Sequence, residues 1–179
     1  MPRPPKARAA ILEAYRELLV SDGERAATMD AVAAAAGVSK GGLLYHFKNK
    51  DALAEGLLVW LREAAAADRE RMAAAEEGPS RYFVRTSVST GSDLDRLFVS
   101  AVRLAQAGHA GALRALEELD AAWLGIIRDE VADPAVSAAV MLIGEGLYYY
   151  STLAGTWPEE AFGTTVEDLL GVVDRLREA

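Results

Sequence analysis

The chain has no cysteine, so neither a disulfide framework nor a thiolate metal site is available, which fits a reducing compartment. Only two histidines occur, His46 and His109, and two distant histidines without cysteine make a poor basis for a metal site. No apolar run reaches transmembrane length, and the basic, proline-rich N-terminus has no hydrophobic signal core behind it. The expectation is a cytoplasmic protein with no membrane partner. Also missing are the arrangements that mark catalysis: no serine, cysteine or histidine stands in a pattern with a plausible base, and no glycine loop that could cradle phosphate precedes a helix. Neither an enzyme nor a cofactor is expected.

Lysine is scarce too, and its distribution is uneven. All four lysines fall within the first 50 residues, a segment with net charge +3, whereas residues 51–179 have −11. An overall charge of −8 would argue against nucleic acid if it were spread evenly. A basic head on an acidic body instead suits a DNA reader whose body is repelled from the duplex. With 179 residues and 51% hydrophobic content, the chain can bury a sizeable core, as one domain or as a small domain fused to a larger one.

The stretch Thr28–Leu53 is the most informative. Val32, Ala33 and Ala36 lie at helical spacing after Thr28, Gly37 interrupts, and Ser39 opens a second short helix through Phe47, which predicts helix, tight turn, helix. Thr28 and Ser39 can each cap a helix by accepting a backbone N–H from its first turn. Gly37 suits a turn with φ > 0. Ahead of them Ile11, Leu12, Tyr15, Leu18 and Leu19 form one apolar stripe, predicted to pack on Met29, Val32 and Leu43 as a three-helix unit. Met1–Ala7 reads as a Pro-Arg-Pro-Pro-Lys arm that starts outside any helix and trails in solvent or lies along DNA.

These residues resemble the DNA-binding signature of the TetR family of bacterial transcriptional regulators: Gly23, Thr28, the Gly37-Val38-Ser39 turn and the closing Tyr45-His46-Phe47-Lys48-Asn49-Lys50. The resemblance covers about the first 50 residues. It implies phosphate contacts at Thr28, Tyr45, His46 and Lys50. By chemistry, Lys40 is the candidate for base reading, since an ammonium can donate to guanine O6 and N7. Ser39, Gly41 and Gly42 share that N-terminal end of the helix, where glycines allow close backbone approach. Leu44 departs from the family pattern, which commonly has tyrosine there; it can meet a thymine methyl group or pack inward. On this division Lys40→Ala relaxes sequence preference, and Lys50→Ala weakens all DNA alike.

Downstream, the periodicity predicts helices only. One runs from Asn49 or Lys50 to about Glu77 and is ended by Gly78-Pro79; others follow over 81–88, from Ser92 or Asp93 to about Ala107, over 112–131 with Leu113, Leu116, Leu119, Trp123 and Ile126 or Ile127 buried, from Asp133-Pro134 to about Thr152, and through Val166–Leu176. The whole is therefore all-α, with an N-terminal three-helix helix-turn-helix DNA-binding domain (1–50) and a helical ligand-binding and dimerisation domain (51–179). The resemblance implies a homodimer built on the last two long helices, a palindromic double-stranded operator, and a small-molecule effector whose binding releases a repressor. Phe98, Leu104, Trp123, Tyr148 and Tyr149 are candidate pocket residues, though each equally fits ordinary core. Glu145 or Asp120 within the pocket would favour a cationic aromatic ligand; without them a neutral lipophilic molecule fits better. A helical ligand-binding or enzymatic domain with a purely structural helix-turn-helix, and a transcriptional activator, stay open as alternatives.

Overall fold

The computed structural model describes residues 4–88, 91–154 and 156–178, and every regular element among them is helical. In chain order these are α1 (Pro4–Ser21), α2 (Met29–Ala35), α3 (Lys40–His46), α4 (Lys50–Ala73), α5 (Pro79–Thr86), α6 (Asp93–Gln106), α7 (Ala110–Glu130), α8 (Pro134–Ala154), α9 (Glu159–Phe162) and α10 (Val166–Arg177). The all-α class and the helix-turn-helix expected from the sequence are present.

The helices pack as two compact units: residues 1–64 with 93–118, and residues 65–92 with 119–179. In the first, α1 packs on α2, α3 and α6. Its core is formed by Ile11, Leu12, Tyr15 and Leu19 of α1, Val32 of α2, Leu43 of α3, and Leu53, Leu57, Leu58 and Leu61 of α4, all fully buried. Leu18 and Met29, assigned to the same stripe from the sequence, are only half-buried. Gly56 lets α4 approach closely, because a Cβ there would come within 2.9 Å of the Phe47 ring and 3.1 Å of Leu12. In the second unit α5, α8 and α10 pack together over Phe83, Val84, Val140, Leu147, Leu170 and Val173.

Several boundaries differ from the sequence expectation. The N-terminal arm is shorter than predicted: α1 begins at Pro4, since proline lacks an N–H that the first helical turn does not use. Met1–Arg3 lie outside the described residues. Helix α4 ends at Ala73, before Glu77, and Gly78 adopts φ +90 to start α5. There the Ser80 N–H donates to Glu130 Oε2 (2.8 Å), and Arg177 pairs with the other oxygen of that carboxylate (2.5 Å). A Cβ at Gly78 would fall 2.2 Å from Glu130, so glycine is required twice over.

On α7 the buried face is Ala112, Ala115, Leu119, Trp123 and Ile127, and Leu113 is 53% exposed. Ala112 and Ala115 occupy the buried positions that hydrophobicity alone assigned to the leucine. The short α9 was not anticipated; it is held by Trp157, whose indole N–H donates to the Thr164 carbonyl (2.7 Å) and whose ring stacks on Phe162 at 4.6 Å. Among the described residues no helix is long and apolar enough to cross a membrane.

Candidate nucleic-acid interface

Local caps build the α2–turn–α3 element as the sequence predicts. The Ala31 N–H donates to Thr28 Oγ1 (3.2 Å) and the Gly42 N–H to Ser39 Oγ (3.0 Å). Each cap satisfies a backbone donor that the helix itself leaves open. Gly37 has φ +65, and the Val38 N–H returns to the Ala33 carbonyl (3.0 Å), closing α2 and fixing the angle at which α3 leaves.

That geometry splits α3 into two faces. Leu43 and the following Phe47 are buried, while Lys40, Gly41, Leu44 and Tyr45 face outward. Tyr45 is 83% exposed, its ring edge-on to His46 at 5.1 Å. Leu44, 43% exposed, is the apolar member of this face and does not pack inward. The two glycines have different reasons. A Cβ at Gly42 would sit 3.2 Å from the Ser39 hydroxyl and crowd the cap, whereas one at Gly41 would meet nothing. Among the described residues no packing requires Gly41, which costs the helix about 1 kcal/mol relative to alanine.

The two lysines of the candidate set stand in different surroundings. Lys40 pairs with Asp30 of α2 (2.9 Å), with both side chains largely exposed. Such a pair contributes at most about 1 kcal/mol, so Lys40 can exchange Asp30 for a stronger acceptor at little cost. Lys50 is half-buried at the start of α4, where its ammonium donates to the Glu24 carbonyl (2.5 Å) and pairs with the Glu24 carboxylate (2.7 Å). It fastens the α1–α2 loop to α4. Lys48, between them in sequence, is exposed. Neither partner was legible beforehand, because Asp30 and Glu24 reach their lysines across turns and no periodicity links them.

The candidates for ligand contact divide between the units. Phe98 and Leu104 lie on α6 in the first, with Leu104 buried. Trp123, Glu145, Tyr148 and Tyr149 lie in the second, where Trp123 packs 6.1 Å from Phe83 and Tyr149 is exposed. Burial, and then the nearby Asp120 carboxylate, push the Glu145 carboxyl up to about 7. Burial also raises Asp120, one of whose oxygens is buried without a hydrogen bond. No cluster of three or more histidine, aspartate or glutamate side chains able to hold a metal ion occurs among the described residues.

Residues 11–57, from the first core residue of α1 into the middle of α4, match the family model for bacterial regulatory proteins of the tetR family. Over this segment the chain is similar to the tetR family of bacterial regulatory proteins. The matched family is one of transcriptional regulators, not of enzymes. TetR-like architecture also extends over the rest of the chain. A Rhodococcus sp. protein described as a TetR-family transcriptional regulator is 23% identical, with a TM-score of 0.65, over 96% of this chain and 97% of that one. A transcriptional regulator from Streptomyces coelicolor A3(2) is 20% identical, with a TM-score of 0.71, over 98% and 100%. The multidrug binding protein EbrR, in complex with malachite green, is 21% identical, with a TM-score of 0.67, over 94% and 96%. At this level of identity the likeness establishes the shared fold. No curated protein matches the chain.

Proposed function

We propose that this chain is a homodimeric, sequence-specific DNA-binding regulator of the cytoplasm, acting as a repressor that a small lipophilic or aromatic molecule releases from a palindromic operator. The observation that carries the reading is the outward face of α3, where Lys40, Leu44 and Tyr45 are presented together by a capped helix with a buried back. Lys40 and Leu44 serve base readout. Thr28, Ser39, Tyr45, His46 and Lys50 serve phosphate and backbone positioning, and Gly41 and Gly42 allow the helix end to come close. In this division residues 1–50 read DNA, and residues 51–179 dimerise and take the effector.

The dimer is supported by α8. Its inner face of Val140, Met141 and Leu147 is buried within the chain, while Leu142 and Leu153 are 71% and 69% exposed on the same helix. Side chains of that kind seek a cover, and a second copy of the helix supplies one by two-fold symmetry. The effector class is supported by the half-buried Glu145–Asp120 pair in the unit that also contains the Phe83–Trp123 aromatic contact. Malachite green, the ligand in the EbrR complex, is an aromatic cation. A lipophilic aromatic cation is accordingly the effector class that fits this chain's acidic pair best.

The test is selection of bound fragments from pooled genomic and random DNA across a salt series. The expected result is one palindromic site occupied by an even number of protomers, with affinity falling steeply as salt rises. Weak, sequence-blind binding that disappears at physiological salt would remove the proposal.

With the operator in hand, Lys40→Ala is expected to lose roughly tenfold in affinity at the base pair it reads and to tolerate other bases there. Lys50→Ala is expected to weaken every DNA sequence alike and also to lower the melting temperature, because Glu24 loses its partner. Titrations over single-base operator variants, paired with thermal melts, separate the two effects. Identical profiles for both variants would end this division of roles.

A further inference from the structure

Between Thr28 and Lys48 the chain has one side-chain carboxylate, Asp30, and it stands against the lysine assigned to base readout. Its two oxygens lie 2.9 and 3.1 Å from the Lys40 ammonium, and it has no other partner among the described residues. The contact joins residues ten apart in sequence across the α2–α3 turn. Gly37 at φ +65 and the Val38 N–H on the Ala33 carbonyl set that turn, so the fold itself puts the pair at the N-terminal end of the reading helix. Both side chains are largely exposed there.

Helix α2 offers a simpler reason for an acid in its first turn, since the N-terminal end of a helix favours negative charge. Asp30 is not needed as its cap, however: Thr28 receives the Ala31 N–H, and among the described residues no backbone N–H donates to the Asp30 carboxylate. On a surface that approaches a polyanion, a carboxylate repels every phosphate near it. A gain in selectivity is what can offset that repulsion.

The Lys40–Asp30 pair meets a phosphate and a base pair differently. A phosphate offers only anionic acceptors, so it competes with Asp30 for the one ammonium and is repelled by the carboxylate. A G·C pair offers neutral groups of both kinds in the major groove, acceptors at guanine O6 and N7 and a donor at cytosine N4. An ammonium has three N–H groups, so Lys40 can donate to guanine while keeping Asp30, and the carboxylate can accept from cytosine. Removing the carboxylate therefore frees Lys40 for phosphates and takes a partner from the base pair.

We propose that Asp30 is a specificity-determining residue: acting through Lys40, it withholds the lysine from phosphates at arbitrary sequence and leaves it available to a G·C pair. The inference rests on the DNA-binding reading above and adds to it a residue that lowers affinity for the wrong DNA.

The experiment measures binding of the full chain to the selected operator and to a random-sequence duplex of equal length, across a salt series. Wild type, Asp30→Asn, Lys40→Gln and the double variant are compared. Asp30→Asn is expected to bind the random duplex about five- to tenfold more tightly and the operator no more than about twofold more tightly, so the preference for the operator falls. On the random duplex the slope of log affinity against log salt should steepen by about 0.9, the contribution of one further phosphate contact. In the Lys40→Gln background the same substitution should change random-duplex affinity by no more than about twofold. Asp30→Ala, whose side chain has no donor for a phosphate, should act in the same direction as Asp30→Asn. A residue that only supported α2 would instead lower the melting temperature and weaken both duplexes alike. That result, an unchanged operator preference, or an equal gain with and without Lys40 would overturn the proposal. Failure of the regulatory reading shows separately, as wild type without any operator preference, and the random-duplex comparison with and without Lys40 then still decides whether Asp30 withholds the lysine from phosphates.

Discussion

Leu43→Ala is expected to destabilise the reading unit by about 2–5 kcal/mol and to abolish DNA binding, whereas Leu44→Ala should shift stability by no more than about 0.5 kcal/mol. The two leucines are neighbours on α3 and chemically identical, and they differ in which way the helix turns them. Leu43 is fully buried in the core formed by α1, α2 and α4, so truncation removes contacts and leaves a cavity the surrounding helices cannot close. A domain of this kind has a total stability of only about 5–15 kcal/mol, so the loss is a large share of it. Leu44 is 43% exposed beside Tyr45, and its truncation should act on DNA alone, costing roughly five- to tenfold at one base pair if it meets a thymine methyl group. Thermal melts and operator titrations of the two variants check both halves. Equal loss of melting temperature would show that the face assigned to DNA is instead part of the core.

Glu145→Gln is expected to stabilise the protein at pH 8 by about 2 kcal/mol, a rise of roughly 5 °C in melting temperature, and to change nothing near pH 4. In the folded chain Glu145 keeps its proton up to about 7, against 4.5 for an ordinary glutamate, because burial and then the Asp120 charge disfavour the carboxylate. The folded state thus binds this proton more tightly than the unfolded chain. Its burial costs nothing below about pH 4.5; the cost grows through the interval to about 7 and is complete above it. The full shift corresponds to about 3 kcal/mol, which the partial exposure of the side chain reduces to the smaller figure. Glutamine has nearly the same shape and never ionises, so it removes the penalty.

The same titration gives the effector reading a signature. An aromatic cation should bind wild type more weakly at pH 5 than at pH 8, as Glu145 becomes neutral, and the Gln variant should lose most of that dependence. Identical melting profiles of the two proteins from pH 4 to 8 would show that Glu145 is not perturbed in this way, and a cation affinity insensitive to both pH and the substitution would detach it from the effector site.

How far the sequence could be read depended on the range of the interaction concerned. Thr28, Gly37 and Ser39 were legible because a cap or a left-handed turn is decided within three or four residues. The stripe of α1 and the back of α3 were legible because periodicity reports a face directly. Helix α4 was overextended since Ala74, Ala75, Glu76 and Glu77 all favour helix. The helix stops at Ala73, and the chain is reorganised at Gly78 beside Glu130 and Arg177, groups brought there by packing. Leu113 was assigned to the interior on hydrophobicity, yet Ala112 and Ala115 are the residues buried there.

By itself, then, the sequence determined the all-α class, the helix-turn-helix, its capping and the basic character of the first 50 residues, since each follows from local propensity, period or composition. Only the tertiary structure decided that Leu44 faces outward, that Lys40 rests on Asp30 and Lys50 on Glu24, that Glu145 shares its surroundings with Asp120, and that the Tyr15 hydroxyl is enclosed without a partner. These are statements about which distant groups meet and how much water is excluded around them, and a one-dimensional pattern specifies neither until the helices have packed.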